Sequence, residues 1–201
     1  MLESVVKRSR KLPSNSKMLI FGGGFSGQHI ASAARALGME VLCSRRKPEK
    51  PGSDFIFNSE TVELPSQEIL YGTTHLLSCI PPDKNGKDPL IEQLGSTFKA
   101  IPLKWAGYLS TTGVYGDSKG QWVDESNTPQ PKQLRSKRRL ECEHEWEKSN
   151  LPLQILRLPG IYGPGRSSLE TILNGKCRLI DKPGQIFSRV HVDDIAGAIM
   201  H

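Results

Sequence analysis

The chain has 201 residues, enough for one domain with a full core, and its 36% hydrophobic and 24% charged content describes a soluble globular protein. No run of about 18 apolar residues occurs, which argues against a membrane span, and four cysteines at 43, 79, 142 and 177 lack C-x-x-C spacing and any secretory signal. A disulfide framework and a metal site are therefore not expected, the thiols suit a cytoplasmic setting, and the net charge of +6 (27 basic, 21 acidic) leaves nucleic acid, anionic lipid and phosphorylated ligands all open.

Residues 1–17 carry Lys7, Arg8, Arg10, Lys11 and Lys17 among Ser, Pro and Asn, and read as a flexible basic leader. A transit peptide is the alternative, since Glu3 is the only acid, but the segment is short. Residues 18–201 read as one domain, with partial substrate-binding elements near 160–201.

Met18 to Phe21 predicts a buried strand that enters the glycines at 22, 24 and 27, a G-x-G-x-x-G pattern placed between a strand and a helix. Gly22 permits the tight turn, Gly24 lets backbone approach a pyrophosphate, and Gly27 brings helix and sheet together, with Phe25 and Ser26 between them in the same grip. The following helix directs N–H groups and its positive dipole end at the phosphates. Ile30, Ala33, Ala34 and Leu37 recur at helical spacing, and Gly38 sits where a C-terminal glycine belongs.

Met39 to Cys43 predicts the second strand, ending in Ser44, Arg45, Arg46 and Lys47, about 20 residues beyond the glycines, where the adenine ribose is read. An acid there would select NAD. Arginines suit a 2′-phosphate, so NADP is favoured over NAD. Lys50 to Gly52 extends the loop before a short third strand, Phe55 to Phe57.

His75 to Ile80 predicts a fourth strand stopped by Pro81 and Pro82, so that Cys79, Ile80 and Pro81 lie against the dinucleotide on its adenine side. Gly86 to Pro89 makes a turn, Leu90 to Leu94 begins a helix, and Ala106 to Leu109 is a fifth strand. Leu153 to Leu158 is a sixth, followed by a loop from which Tyr162 and Arg166 reach toward a substrate. Strands alternating with helices predict an α/β fold, a doubly wound parallel sheet. Gly113-Val114-Tyr115-Gly116 and Gly160-Ile161-Tyr162-Gly163 echo one another and are expected to form similar loops at the sheet's carboxyl edge.

Leu109 to Asp117 (LSTTGVYGD), the glycine turn, Arg157 to Gly165 (RLPGIYGPG) and Arg189 to Ala196 (RVHVDDIA) together resemble the extended short-chain dehydrogenase/reductase family of nucleotide-sugar epimerases and dehydratases. The resemblance runs from about Met18 to the terminus and implies a Rossmann fold, a nicotinamide dinucleotide and a small, nucleotide-linked substrate. It places Thr111 in the family's Ser/Thr position, with Ser110 and Thr112 as neighbours one register away. The family's Tyr-x-x-x-Lys pair falls within PKQLRSKRRLECE: Lys137 fits the lysine and leaves Gln133 in place of tyrosine, or Arg139 is the basic position and Arg135 stands there. The four tyrosines at 71, 108, 115 and 162 all lie outside this stretch, and a glutamine amide exchanges no proton near neutral pH.

The usual acid/base is thus missing, and if the protein catalyses, Tyr115 or a water replaces it beside Thr111 and Lys137. The resemblance makes Asp193 or Asp194 a helix start and His191 a strand-end residue rather than metal ligands. Lys132, Arg135, Lys137, Arg138 and Arg139 crowd one helix start against the dipole, which suggests a facing anion, with a solvated charged face as the plain alternative. A nucleic-acid surface has few aromatics to stack bases, Trp146 being nearest. The chain stops at His201, where extended members continue, so a small or truncated C-terminal substrate-binding part is expected. A non-catalytic dinucleotide-binding module is the alternative function, and a homodimer the assembly expected beyond the monomer.

Overall fold

In the computed structural model, residues 13, 15–50, 53–177, 181, 183–184 and 186–201 are described. The proposed leader lies largely outside them, as do Pro51 and Gly52. Lys17, grouped with that leader, instead opens β1 (Lys17–Phe21), where its Nζ donates to the Tyr71 carbonyl at 2.9 Å and pairs with Glu40 at 3.4 Å.

All five residues of β1 are buried and alternate between two cores. Met18 and Ile20 face α1 (Phe25–Ala36) and α6 (Val192–Met200), while Leu19 and Phe21 face α3 (Pro89–Ala100) and α4 (Leu134–Glu147). Burial on both faces is what a parallel sheet wrapped by helices requires. The remaining sheet strands are β2 (Glu40–Arg45), β3 (Phe55–Ile56), β4 (His75–Ser78), β5 (Trp105–Thr111) and β6 (Leu153–Leu158), all parallel, in the order β3-β2-β1-β4-β5-β6. The doubly wound expectation holds. The order reverses direction between β1 and β4, which opens a crevice at their carboxyl ends.

Element boundaries moved where tertiary pairing extended or cut a pattern. β2 runs through Ser44 and Arg45 because these pair with Phe55 and Ile56. β4 ends at Ser78, although the Cys79 N–H still donates to the Phe21 carbonyl at 2.8 Å. Asp88 caps α3 by accepting from the N–H groups of Leu90 and Ile91 at 2.9 and 3.0 Å, and its other oxygen accepts from Trp146 Nε1 at 2.9 Å. One buried carboxylate thereby joins α3 to α4. A short α2 (Gln67–Leu70) precedes β4.

The expected kinship of the two Gly-x-Tyr-Gly segments is not what forms. Thr112–Tyr115 is a single 3₁₀ turn packed on α4, where a Cβ at Gly113 would come within 2.8 Å of Ser136 Oγ. Gly160–Ile161–Tyr162 is instead β7, which pairs in parallel with β8 (Arg189–His191) in a separate two-stranded sheet. Pairing with β8, far along the chain, decides the second case. Between them lies α5 (Ser168–Leu173), whose start is fixed by a reciprocal Ser167–Glu170 capping box. β8 ends at His191, whose Nδ1 accepts from the Asp193 N–H at 3.2 Å, so His191 caps α6 and Asp193 and Asp194 fill its first turn. Among the described residues, no helix is long and apolar enough to cross a membrane.

Candidate functional site

The glycine turn sits at the mouth of the crevice. Gly22 has φ +103° and is hemmed in: a Cβ there would lie 3.0 Å from Ile80 Cγ2 and 3.2 Å from the Cys79 carbonyl carbon. A Cβ on Gly27 would run into the Gly22 carbonyl oxygen, so the helix can approach the turn only with glycine. Gly24 differs, because a Cβ there would meet nothing within 4 Å except Arg45 Nη1 at 3.9 Å. It needs no glycine for packing. Space is kept open at the point where α1 begins without a side-chain cap and without an acid in its first turn, so N–H groups and dipole remain available to an anion. Ser26 is half-buried in that turn, and the Phe25 ring packs against His29 with centroids 4.8 Å apart.

Ser44 has a job different from contact with a ligand alone. It is 2% exposed, its hydroxyl accepts from the Gly22 N–H at 3.1 Å and its carbonyl accepts from the Gly23 N–H at 2.7 Å. The end of β2 thus clamps the glycine turn, and Arg45, half-buried beside Gly24, and exposed Arg46 follow directly. Across the crevice, Cys79 and Ile80 are half-buried and Pro81 exposed. Burial pushes the Cys79 thiol well above its usual range, so it presents a neutral group to the site.

On the far side of the crevice stand Thr111 and Tyr115. Thr111 Oγ1 accepts from the Gly113 N–H at 3.1 Å, capping the 3₁₀ turn and leaving its own hydrogen to be donated elsewhere. Tyr115 is held by Arg157: Nη1 donates to its hydroxyl at 3.0 Å and the guanidinium lies 4.8 Å from the ring centroid. Arg157 in turn grips Glu143, Nη2 to Oε2 at 2.8 Å and Nε to both oxygens at 3.2 Å, and Ser110 Oγ donates to the same carboxylate. Sequence reasoning missed this Ser110–Glu143–Arg157–Tyr115 network. The usable signal was Glu143 standing next to Cys142 and three residues before Trp146, a charge on an apolar helical stripe that has to find a partner.

The face of α4 that meets the sheet carries Ser136, Cys142, Glu143 and Trp146, with Arg139 half-buried among them. Arg139 Nη1 donates to the Ile80 carbonyl and the Tyr108 hydroxyl, both at 3.0 Å, and to the Leu109 carbonyl at 3.3 Å. Lys132, Arg135 and Lys137 are exposed. Gln133 is the N-cap of α4, and its Oε1 accepts from Arg135 Nε at 3.0 Å. Trp146, the aromatic considered for base stacking, is fully buried against Tyr108 with centroids 5.4 Å apart, so it offers no face to a nucleic acid.

Next to the crevice, β7, α5 and Arg189 line a depression of about 530 Å³ that includes Arg166 and Lys176. The guanidinium of Arg166 lies 5.3 Å from the Phe25 ring centroid, which links this depression to the glycine turn. Tyr162 is 43% exposed and packs edge-on to His191.

No family model and no curated protein matches the chain. Solved structures do. A functionally unknown conserved protein from Silicibacter pomeroyi is 38% identical over 92% of this chain and 66% of its own length, with a TM-score of 0.82. A protein assigned as an NAD-dependent epimerase/dehydratase from Methylobacillus flagellatus is 30% identical over 92% of this chain and 68% of its own, with a TM-score of 0.69. MoeE5, solved in complex with UDP-glucose and NAD, shares the fold at 20% identity, 92% and 71% coverage and a TM-score of 0.76. The chain spans 66% of the length of the Silicibacter protein.

Proposed function

The chain belongs to the NAD-dependent epimerase/dehydratase family, and from that premise we propose that it binds NADP across the β1/β4 crevice and acts on a small, nucleotide-linked alcohol or carbonyl substrate. The observation that carries the cofactor reading is the pairing of Gly24, whose missing side chain keeps the helix start open, with Arg45, whose Nη1 is the nearest atom, 3.9 Å from where a Cβ on Gly24 would stand. A cation beside the place where the adenine ribose is read supports a 2′-phosphate over a bare hydroxyl. Gly22, Gly27 and Ser44 hold the turn, while the N–H groups near Phe25 and Ser26 receive the pyrophosphate.

When bound, the dinucleotide supplies a nicotinamide ring able to accept and return a hydride. The chain's own contribution is positional. Thr111 donates its hydroxyl hydrogen to the substrate oxygen, and Tyr115, whose oxygen already accepts from Arg157, directs its own hydrogen toward the cleft. Arg166, Lys176 and Arg189 suit a substrate that carries phosphate.

A second reading, a dinucleotide-binding module without turnover, is favoured by α4, which carries neither tyrosine nor histidine at the positions where an acid/base would stand. Calorimetric titration with NADP and NAD, followed by absorbance at the nicotinamide band with candidate nucleotide sugars, tests both. Absence of binding to either dinucleotide at millimolar concentration overturns both readings, and binding without turnover selects the second.

A further inference from the structure

The sequence contains two Asn-Gly pairs, Asn85-Gly86 and Asn174-Gly175, each followed by lysine, and the fold places them in opposite settings. Glycine after asparagine leaves the next main-chain nitrogen without a side chain to shield it and free to adopt unusual dihedrals, so that nitrogen can reach the asparagine's side-chain carbonyl carbon. Whether it does so in a folded protein depends on how cheaply the segment opens. Asn85-Gly86 is locked. Asp83 Oδ1 accepts from the N–H groups of Asn85 and Lys87, both at 2.8 Å, its Oδ2 accepts from the Asn85 side-chain amide at 3.4 Å, and its carbonyl accepts from the Gly86 N–H at 3.1 Å. Gly86 is buried beneath Arg138, whose Cγ would lie 2.9 Å from a Cβ there, and its carbonyl accepts from Cys142 Sγ at 3.5 Å. Opening this turn means pulling it off α4.

Asn174-Gly175 instead ends α5. The helix closes with the Gly175 N–H donating to the Ile172 carbonyl and the Lys176 N–H to the Thr171 carbonyl, both at 2.9 Å, and with Gly175 at φ +64°. Little else holds this end. α5 is six residues long and contains no buried residue, Asn174 and Gly175 are exposed, and among the described residues no group bonds the Asn174 side-chain amide. A helix this short, without a packed face, opens at little cost. We propose that Asn174 is a self-modifying site, at which the chain converts its own amide into a carboxylate. In the opened segment the Gly175 nitrogen bonds to Asn174 Cγ, the Cγ–Nδ2 bond breaks, and ammonia leaves with the proton that Gly175 gives up. Water then opens the cyclic imide. Attack at Cγ restores the main chain and leaves aspartate, whereas attack at the main-chain carbonyl carbon leaves isoaspartate, with the chain running through the former side chain. Water is consumed and ammonia released, and no oxidant or cofactor takes part. Asn174 lines the same depression as Arg166, Lys176 and Arg189, so either product sets a negative charge among those cations. Isoaspartate, which lengthens the main chain by a methylene, also undoes the helix end.

The test incubates the unaltered protein in heavy-oxygen water at mildly alkaline pH, below its melting temperature, and follows both asparagines by peptide mass spectrometry, with isoaspartate read separately by enzymatic methylation. In the folded protein Asn174 is expected to convert about tenfold or more faster than Asn85, taking up heavy oxygen and giving isoaspartate among its products, because the rate follows the population of opened chain. In denaturant the two pairs, identical in their next two residues, are expected to convert at similar rates, which assigns the difference to the fold. Isoelectric focusing of the aged protein should show an acidic species that Asn174→Gln, whose longer side chain must close a larger ring, does not form on the same timescale. Equal conversion of the two asparagines in the folded protein, faster conversion of Asn85, an Asn174 that resists until denaturant is added, or an acidic species that persists unchanged in Asn174→Gln would each overturn the proposal.

Discussion

Arg157 grips Glu143 through three hydrogen bonds of 2.8 to 3.2 Å, although the carboxylate side chain is 1% exposed and the guanidinium side chain 20%. The pair joins α4 to β6, and through Ser110 and Tyr115 it reaches the end of β5 and the turn beyond it. Hydrogen bonding to Glu143 drives the pKa of Arg157 above its already high value, so the guanidinium stays charged. A buried carboxylate of this kind is tolerated only because its donors are in place.

Removing one partner is accordingly expected to be severe. Arg157→Ala should destabilise the protein by about 3 kcal/mol or more, because it strips the buried Glu143 carboxylate of its cationic partner. Tyr115→Phe, which deletes only the hydroxyl that accepts from Arg157, should cost about 1 kcal/mol. Urea unfolding followed by fluorescence measures both. Near-equal losses would mean that the network does not centre on the ion pair.

The three glycines of the turn should separate by substitution. Gly22→Ala places a Cβ at φ +103° within 3.2 Å of two atoms of Cys79, and Gly27→Ala drives one into the Gly22 carbonyl, so each should lose about 2 kcal/mol or more of stability. Gly24→Ala should fold with an unchanged melting temperature and yet bind NADP about tenfold more weakly, since it fills space that only the ligand needs. Thermal melts alongside calorimetry decide the matter, and a destabilised Gly24→Ala would argue against the ligand.

Arg45 and Arg46 are expected to discriminate between dinucleotides. Arg45→Ala should weaken NADP about tenfold and NAD less than about threefold, the difference shrinking as salt is raised because added ions screen the attraction between guanidinium and phosphate. Parallel titrations at low and high ionic strength provide the comparison. Equal losses for the two dinucleotides would remove the argument for a 2′-phosphate.

Thiol reactivity should follow burial. Burial raises Cys43 to about 11 and Cys142 to about 12, so both remain protonated thiols throughout neutral and mildly alkaline pH, and the thiolate needed for alkylation appears only as pH climbs toward those values. Cys177 is exposed. Iodoacetamide at pH 8, read by peptide mass spectrometry, should label Cys177 first and leave Cys43, Cys79 and Cys142 unmodified until denaturant is added.

Local order was legible in the sequence wherever a short-range rule governed it. Apolar runs and glycine spacing determined the α/β class and the tight turn between β1 and α1, because each depends on residues within about 30 positions of one another. What only the tertiary structure decided was direction and partnership. Five basic residues crowd the start of α4, and nothing in their order tells which one faces the sheet; that follows from the stripe of Ser136, Glu143 and Trp146 that meets the sheet, and it turns Arg139 inward while Lys137 stays outside. The same holds for Gly160–Tyr162, which becomes a strand only because Arg189–His191 arrives beside it, and for Glu143, whose carboxylate is bearable only once β6 brings Arg157 within reach. Helical and strand periods are properties of a segment, but the pairing of a buried charge is a property of two segments, and it exists only after the chain has closed around both.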